Sequence, residues 1–292
     1  MSGGPDTPRA APIATSSAPA GVCVITVVRN GVRTLERTIL SVLAQTHPDI
    51  DYLIVDGAST DGTIELIRRY ESRLRWLSEP DHGLYDAMNK GLGLVSDPAR
   101  YVMFLNADDA LASDDALERL LAASAGEDLV YGLARRHDEA LDYRDVVGSD
   151  VTRAGLITRM IPHQTMLCRR RLFESVGGFD LRYRIAADYD WLMRLYLRPG
   201  VTRRFAPVVL AVMARGGLSD RLFPLLVRER WAIIRRQGSA LELTRYSAHA
   251  ALIELPRYLA QRALRPLGLL NRARDMQHRL RRRAARTGAP PP

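Results

Sequence analysis

The sequence predicts an α/β protein, a mostly parallel sheet between helices, followed by a basic helical extension. Three observations predict it. Short apolar runs rich in branched and aromatic residues, VCVITVV at Val22–Val28, YLIVD at Tyr52–Asp56 and YVMFL at Tyr101–Leu105, alternate with segments of helical period, the pattern of strands buried on both faces of a parallel sheet. Two of the runs lead into carboxylates, Asp56 and the pair Asp108 and Asp109, and in an open α/β sheet ligands sit just beyond the carboxyl ends of the strands. The charge is also divided. The chain carries +9 overall, but from Arg221 onward 16 arginines face only Glu229, Glu242, Glu254 and Asp275, so this part carries +12 and the first 220 residues carry −3.

That division excludes nucleic-acid binding by the whole chain as the reason for its basicity, and no nucleic-acid partner is expected. With 292 residues and 47% apolar content, one large domain with appendages can bury a core. Residues 1–21 are rich in Pro, Ala, Ser and Thr, without a charged start or a continuous apolar stretch, and read as a disordered leader rather than a signal peptide. Residues 22–220 read as the folded domain, 221–286 as the basic extension and 287–292 as a disordered tail. Cys23 and Cys168 make neither a disulfide framework nor a metal spacing, which fits a reducing, cytoplasmic setting. No run approaches the roughly 18 apolar residues of a membrane-spanning helix.

Taken in order, Val22–Val28 is the first strand, turning at Arg29-Asn30-Gly31. Leu35, Ile39 and Leu43 then recur at helical spacing. Gly31 is the only glycine in that turn, so the three-glycine fingerprint of dinucleotide binders is missing. Tyr52–Asp56 is the second strand, and Asp56 can brace its loop or accept hydrogen bonds from a base or ribose. Leu74–Ser78 is a third, short strand. The polar patch from Glu79 to Gly91 opens a helix on which Asp86, Asn89 and Lys90 share a face; Lys90 is the sole lysine of the chain. It suits a phosphate, or a solvated helix face.

Tyr101–Asp109 is the stretch on which the functional reading turns. Two adjacent carboxylates at a strand end repel each other unless partnered, and a divalent cation with a diphosphate provides that partner; a plain turn is the alternative. A helix over Asp114–Ala123 and an apolar run over Asp128–Leu133 follow. Residues 135–158 turn polar and aperiodic and are expected to form loops and edge structure. Ile161–Cys168 reads as a strand with His163 and Gln164 at its entry, where a histidine is more often a packed structural residue. Arg170–Asp180 is a short helix stopped by Gly177-Gly178. Asp188 and Asp190 stand at the start of the next helix, where a carboxylate is a natural cap and could equally be a general base. From Arg221 to Arg286 arginines interleave with apolar residues, the pattern of a helix in the headgroup region of an anionic membrane or of a packed subdomain with a solvated face.

VCVITVVRNG, YLIVDGASTDGT, GLYDAMNKG, FLNADD and AADYDWLMRL together, in this order, resemble the inverting family 2 glycosyltransferases, and the likeness covers about Val22 to Ala214. PHQTMLCRRRLFESVGGFD is similar to enzymes of bacterial exopolysaccharide, capsule and lipid-linked glycan synthesis. The resemblance implies a GT-A fold, a nucleotide sugar as donor (UDP-sugar foremost, GDP- or dTDP-sugar next), Mn²⁺ or Mg²⁺ as cofactor and a glycan or lipid-linked acceptor. It implies Thr26, Val28 and Asn30 at the nucleotide, Asp56 at the base, and Asp86, Asn89 and Lys90 beside the diphosphate with Asn106. It further implies Asp108 and Asp109 at the metal with Asp108 foremost, Asp188 as catalytic base, and His163, Gln164, Asp190 and Trp191 as acceptor or supporting residues. Two positions depart from the family pattern: Asn106 and Ala187 stand where many members carry Asp and Glu. Two other readings remain, a nucleotidyltransferase, which should carry a glycine-rich basic loop where RNGVRT stands, and an inactive membrane-associated scaffold of the same fold.

Overall fold

The computed structural model describes residues 21–97, 100–138, 143–214 and 217–264. The expected leader, apart from Gly21, and the basic end from 265 onward lie outside these residues. A mixed sheet runs in the order β3-β2-β1-β4-β8-β6-β9-β5, with β7 paired to β6. Its first half is the parallel nucleotide-type unit the sequence leads one to expect. Here β1 (Val22–Val28), α1 (Leu35–Leu43), β2 (Ile50–Asp56), α2 (Thr63–Arg68), β3 (Arg75–Ser78), α3 (Leu84–Gly93) and β4 (Tyr101–Phe104) follow one another, and β1 pairs in parallel with both β2 and β4.

Alternation along these strands feeds two cores. Cys23, Ile25, Val27, Leu53, Val55 and Phe104 face one layer with α3; Val22, Val24, Val28, Ile54 and Met103 face the other with α1 and α2. Because successive side chains in a strand point to opposite faces, continuous apolar runs are what a sheet covered on both sides requires. Helix α3 lies so close that a Cβ on Gly91 would come within 2.7 Å of Ile25 Cγ2. Glycine is what lets the helix sit down on β1 there.

The second half is mostly antiparallel. It contains β5 (Ala110–Leu111), α4 (Ala116–Ala122), β6 (Leu129–Asp138), β7 (Tyr143–Val147), β8 (Met166–Arg169), α5 (Arg170–Val176), α6 (Ala187–Tyr196) and β9 (Arg203–Ala214). Within the polar stretch expected as loops and edge structure, β6 runs on to Asp138 and pairs antiparallel with β7, an edge strand. One expectation is corrected. The strand expected from Ile161 starts only at Met166, because Pro162 leads His163–Thr165 into a 3-10 turn. The 12-residue β9 has no counterpart among the expected elements. Pro207 interrupts its apolar run, and the structure places that proline at a register shift between β6 and β9, where Tyr131 pairs with Phe205 but Leu133 with Val209. A bulge is where a strand tolerates proline.

After β9 come α7 (Leu218–Arg221), α8 (Phe223–Gln237), α9 (Ala240–His249) and, across a π-type turn, α10 (Leu255–Leu264). These helices divide in character. Ile233 and Ile234 of α8 and Tyr246 of α9 are fully buried in the same core as Trp191 and Phe173. Ser239 and Glu242 start α9 with a reciprocal capping box, which satisfies two otherwise orphaned backbone donors. Beyond Ala250 the chain leaves the core, and Leu252, Ile253, Leu255 and Leu259 are exposed. The start of the basic extension is thus continuous with the main core, while α10 is not. Among the described residues no helix is long and apolar enough to cross a membrane.

Candidate active site

The carboxyl ends of β1, β2 and β4 converge, and their exit loops are latched together. Asn30 N–H donates to Ser59 Oγ at 2.7 Å, and Asn30 Oδ1 accepts from Thr60 N–H at 2.9 Å. Asn30 and Ala58 both hold a left-handed backbone, φ 53° and 55°, a conformation non-glycine residues adopt chiefly where the surroundings enforce it. Other expected nucleotide contacts are turned inward. Thr26 is fully buried with its Oγ1 3.2 Å from the Tyr52 hydroxyl, and Val28 packs its side chain in the core while its carbonyl accepts from Gly57 N–H. Asp56 is also fully buried, and its carboxylate accepts from Ser59 N–H, the Ser59 hydroxyl and the Ser78 hydroxyl. Here it braces the loop; buried polar groups need such partners.

On α3 the expected trio separates. Lys90 Nζ bridges Glu79 at 2.9 Å, Asp86 at 3.3 Å and the Pro80 carbonyl at 2.6 Å. Asp86 also accepts from His82 N–H, the first cause of its lowered pKa. Asn89 faces away from this group. Its amide donates to the Phe179 carbonyl and accepts from the Phe179 N–H, at 2.8 and 2.9 Å, so it ties α3 to the VGGFD loop.

The NADD turn splits its two carboxylates. Asp108 is partly exposed, its backbone carbonyl held by Arg37, and its carboxylate accepts no hydrogen bond among the described residues. Asp109, expected as a second metal residue, is only 2% exposed. Its oxygens accept from Ala214 N–H at 2.9 Å, Gln164 Nε2 at 2.8 Å and Asn106 Nδ2 at 3.2 Å. Burial, then the charge of Asp108, pushes its carboxyl up to about 6 against those bonds. Asp109 is therefore an internal brace, and Gln164 belongs to the brace. An amide at 106 follows from it: an aspartate there would set a second carboxylate against Asp109, whereas the Asn106 Nδ2 donates to it. Among the described residues no cluster of three His, Cys, Asp or Glu side chains forms a ready metal cage. One partly exposed carboxylate at a strand end fits a hard divalent cation that arrives with phosphate and water as its other ligands.

From Asn106 a chain of hydrogen bonds leads to the expected base. The His163 Nε2 is 3.2 Å from Asn106 Oδ1, and its Nδ1 is 3.0 Å from Asp188 Oδ2. With the Asn106 NH₂ turned to Asp109, its oxygen faces the His163 ring, which thus stands between Asn106 Oδ1 and the Asp188 carboxylate. Asp188 Oδ1 accepts from the Tyr85 hydroxyl at 2.9 Å and Tyr189 N–H at 2.8 Å. Burial and the charge of Asp188 push the Tyr85 phenol well up, which keeps it a neutral donor. A carboxylate offers about four acceptor positions; the two donors meet Oδ1, and Oδ2 faces the His163 ring with room for a further partner. Asp188 is 9% exposed and is not the helix cap, since Ala186 holds that place without a side-chain bond.

Two residues that sequence reasoning did not single out complete the arrangement. Tyr85 lies in the GLYDAMNKG motif, but nothing in the local pattern told it from a core tyrosine. Glu229 on α8 is buried and accepts from three consecutive backbone N–H groups, Arg184, Ile185 and Ala186, at 2.9, 3.0 and 3.0 Å. It fixes the loop that delivers Asp188. Asp190 and Trp191 serve the same helix from the inside. Asp190, fully buried, is held by Arg194 at 2.8 Å, Arg236 at 2.7 Å and Gln237. Trp191, also fully buried, stacks on Phe173 at 4.4 Å and donates to the Gly177 carbonyl. Neither is exposed to solvent.

Residues 23–179 match Glycosyl transferase family 2. The chain belongs to that family. A PGL/p-HBAD biosynthesis glycosyltransferase of Mycobacterium tuberculosis is 35% identical over 210 residues, 69% of this chain and 80% of the relative. A putative teichuronic acid biosynthesis glycosyltransferase of Bacillus subtilis is 37% identical over 99 residues, 32% of this chain and 38% of the relative. Among solved structures, S. aureus TarS 1-349 in complex with UDP superposes with a TM-score of 0.61 at 18% identity, covering 92% of both chains. The mannosyltransferase PcManGT from Pyrobaculum calidifontis, in complex with GDP-Man and Mn²⁺, gives 0.62 at 22% identity over 84% of this chain and 74% of that one. The family 2 protein is thus a glycosyltransferase with the GT-A fold.

Proposed function

We propose that this family 2 enzyme inverts configuration as it moves a sugar from a nucleoside-diphosphate sugar, a UDP-sugar first, to a hydroxyl of a glycan or lipid-linked acceptor of the cell envelope. The observation that carries the reading is Asp188: a buried carboxylate with two donors on one oxygen and the His163 ring beside the other, which keeps an acceptor position open. The donor's nucleotide would rest at the latched loops of Asn30 and Ser59, with Asp86 and Lys90 toward the diphosphate. Asp108 would hold Mn²⁺ or Mg²⁺ together with the phosphates. Bound there, the cation supplies Lewis-acid stabilisation of the departing diphosphate charge. Asp188 takes the proton of the attacking hydroxyl, and Tyr85, Tyr189 N–H and His163 hold its carboxylate in register. Names of relatives in glycolipid and teichuronic acid synthesis, and structural neighbours holding UDP or GDP-Man, support the substrate class. The inactive-scaffold reading loses one of its two supports, because Asn106 has a defined task between Asp109 and His163.

The direct test is a thermal-shift screen of nucleotide sugars on the full-length protein, with Mn²⁺ and with chelator. One donor class should raise the melting temperature in Mn²⁺ and lose most of that rise on chelation. If no nucleoside-diphosphate sugar stabilises the protein under either condition, the donor reading is wrong.

We also place the enzyme on the inner face of the cytoplasmic membrane, held peripherally. Leu252, Ile253, Leu255 and Leu259 are exposed on the helical end beside the exposed Arg257 and Arg262. The sequence from Arg265 to Arg286, outside the described residues, adds 8 arginines against Asp275. Each basic residue near an anionic surface contributes roughly 1 kcal/mol, screened by salt. Replacing Arg279, Arg281, Arg282 and Arg283 by Gln should lower sedimentation with phosphatidylglycerol vesicles, and raised salt should release the parent protein. Binding that ignores both changes leaves those arginines without a membrane role.

A further inference from the structure

Between the loop that leads to Asp188 and helix α8 lies a groove of about 510 Å³, lined by Arg182, Tyr183, Trp231, Ala232, Arg235 and Arg236. We infer that this groove receives a phosphoryl group carried by the acceptor, and so orients the acceptor hydroxyl toward the base. The inference rests on the acceptor role proposed for Asp188 and adds the chemical class of what binds there.

The walls combine two chemistries. Trp231 is 38% exposed, with the Arg235 guanidinium 5.3 Å from its ring, and Arg236 lies 5.6 Å from the Tyr183 ring. Aromatic faces under guanidinium groups accept an apolar or sugar surface on one side and an anion on the other. Two of the three arginines are anchored, which fixes their donors in space. Arg182 grips Asp180 through Nε at 3.0 Å and a terminal nitrogen at 2.6 Å, and Arg236 is held by Asp190 at 2.7 Å and lies 3.5 Å from Asp180. Arg235 makes no ion pair among the described residues, so its charge is open to a ligand. Anchored and open guanidinium groups on one wall suit phosphate oxygens, which take several donors at once.

The position argues for the acceptor and against the donor diphosphate. The groove is built from the 180–186 loop and α8 alone, and shares no element with the latched loops after β1 and β2 or with the NADD turn. Its loop is the one whose N–H groups Glu229 holds and whose chain continues into Asp188. A ligand seated there therefore bears on the loop that carries the base.

The test uses the full-length protein and the emission of Trp231; of the other two tryptophans Trp191 is fully buried and Trp76 lies on β3, away from the groove, and Trp231→Phe identifies the signal. Farnesyl diphosphate is titrated against farnesol, inorganic phosphate, and phosphatidylcholine vesicles with and without phosphatidylglycerol. Farnesyl diphosphate should give a saturable change that farnesol does not match. Arg235→Gln with Arg182→Gln should weaken it roughly tenfold or more, the size of one lost charge-assisted contact. Stabilisation by a nucleotide sugar with Mn²⁺ should be the same in parent and variant, which separates failure here from failure of the donor reading. Equal binding of farnesol, an unchanged double variant, or a signal that survives Trp231→Phe overturns the proposal. A response to phosphatidylglycerol vesicles with none to farnesyl diphosphate also overturns it, in favour of lipid headgroup contact.

Discussion

Asp188→Asn lowers transfer turnover by about 10²–10⁴-fold, the usual contribution of a positioned general base, while the affinity for donor stays where it was. The asymmetry follows from the geometry. Asn keeps one oxygen for the Tyr85 hydroxyl and Tyr189 N–H, the pair that meets Oδ1, so the helix start is preserved. What is lost is the basicity of the other position, the one beside His163 Nδ1. Steady-state kinetics with varied acceptor, together with donor binding by thermal shift, read the two quantities separately. An equal loss of donor affinity would make Asp188 a structural support. Asp190→Asn gives the contrast. Its carboxylate is fully buried among Arg194, Arg236 and Gln237, so its loss should appear as lower thermal stability, about 1–3 kcal/mol, with turnover per folded molecule nearly unchanged.

Asp108→Ala is expected to reduce turnover by on the order of 10²–10³-fold or more, since the stabilisation a divalent cation gives a departing diphosphate amounts to several kcal/mol. Its second signature is in binding. The parent should hold UDP more tightly in Mn²⁺ than in chelator, and in the variant the two conditions should converge. The fold should survive, because the Asp108 side chain braces nothing among the described residues and the backbone carbonyl that Arg37 grips is retained. Calorimetric titration of UDP with and without Mn²⁺ measures the difference directly. Persistent Mn²⁺ dependence in the variant, or near-normal activity, removes Asp108 from the metal site. The neighbouring Asp109 cannot serve as a second copy of the same test, since it holds Gln164, Asn106 and the end of β9.

The sequence by itself determined the layout. Apolar runs with β-branched residues specified β1, β2 and β4, helical spacing specified α1, and the order of five motifs specified the family and its fold. It also located Asp108 at a strand end and Asp188 at a helix start. These are properties of neighbours along the chain, where period and composition act directly. Only the tertiary structure decided what each side chain does. Asp109 looked like the twin of Asp108 until the N–H of Ala214, 105 residues later, closed on its carboxylate. His163 read as a packed residue until it was set between Asn106 and Asp188. Tyr85 reaches Asp188 across 103 residues, and Glu229 reaches the loop before it across 43 to 45. The sequence leaves the helix carrying Glu229 open between a membrane-surface helix and a packed subdomain with a solvated basic face, and the burial of Ile233 and Ile234 in the main core decides for packing there. Local period sets an element and its apolar face. Which buried donor meets which carboxylate is fixed when separate elements pack, because a buried charge must find its partners wherever in the chain they lie.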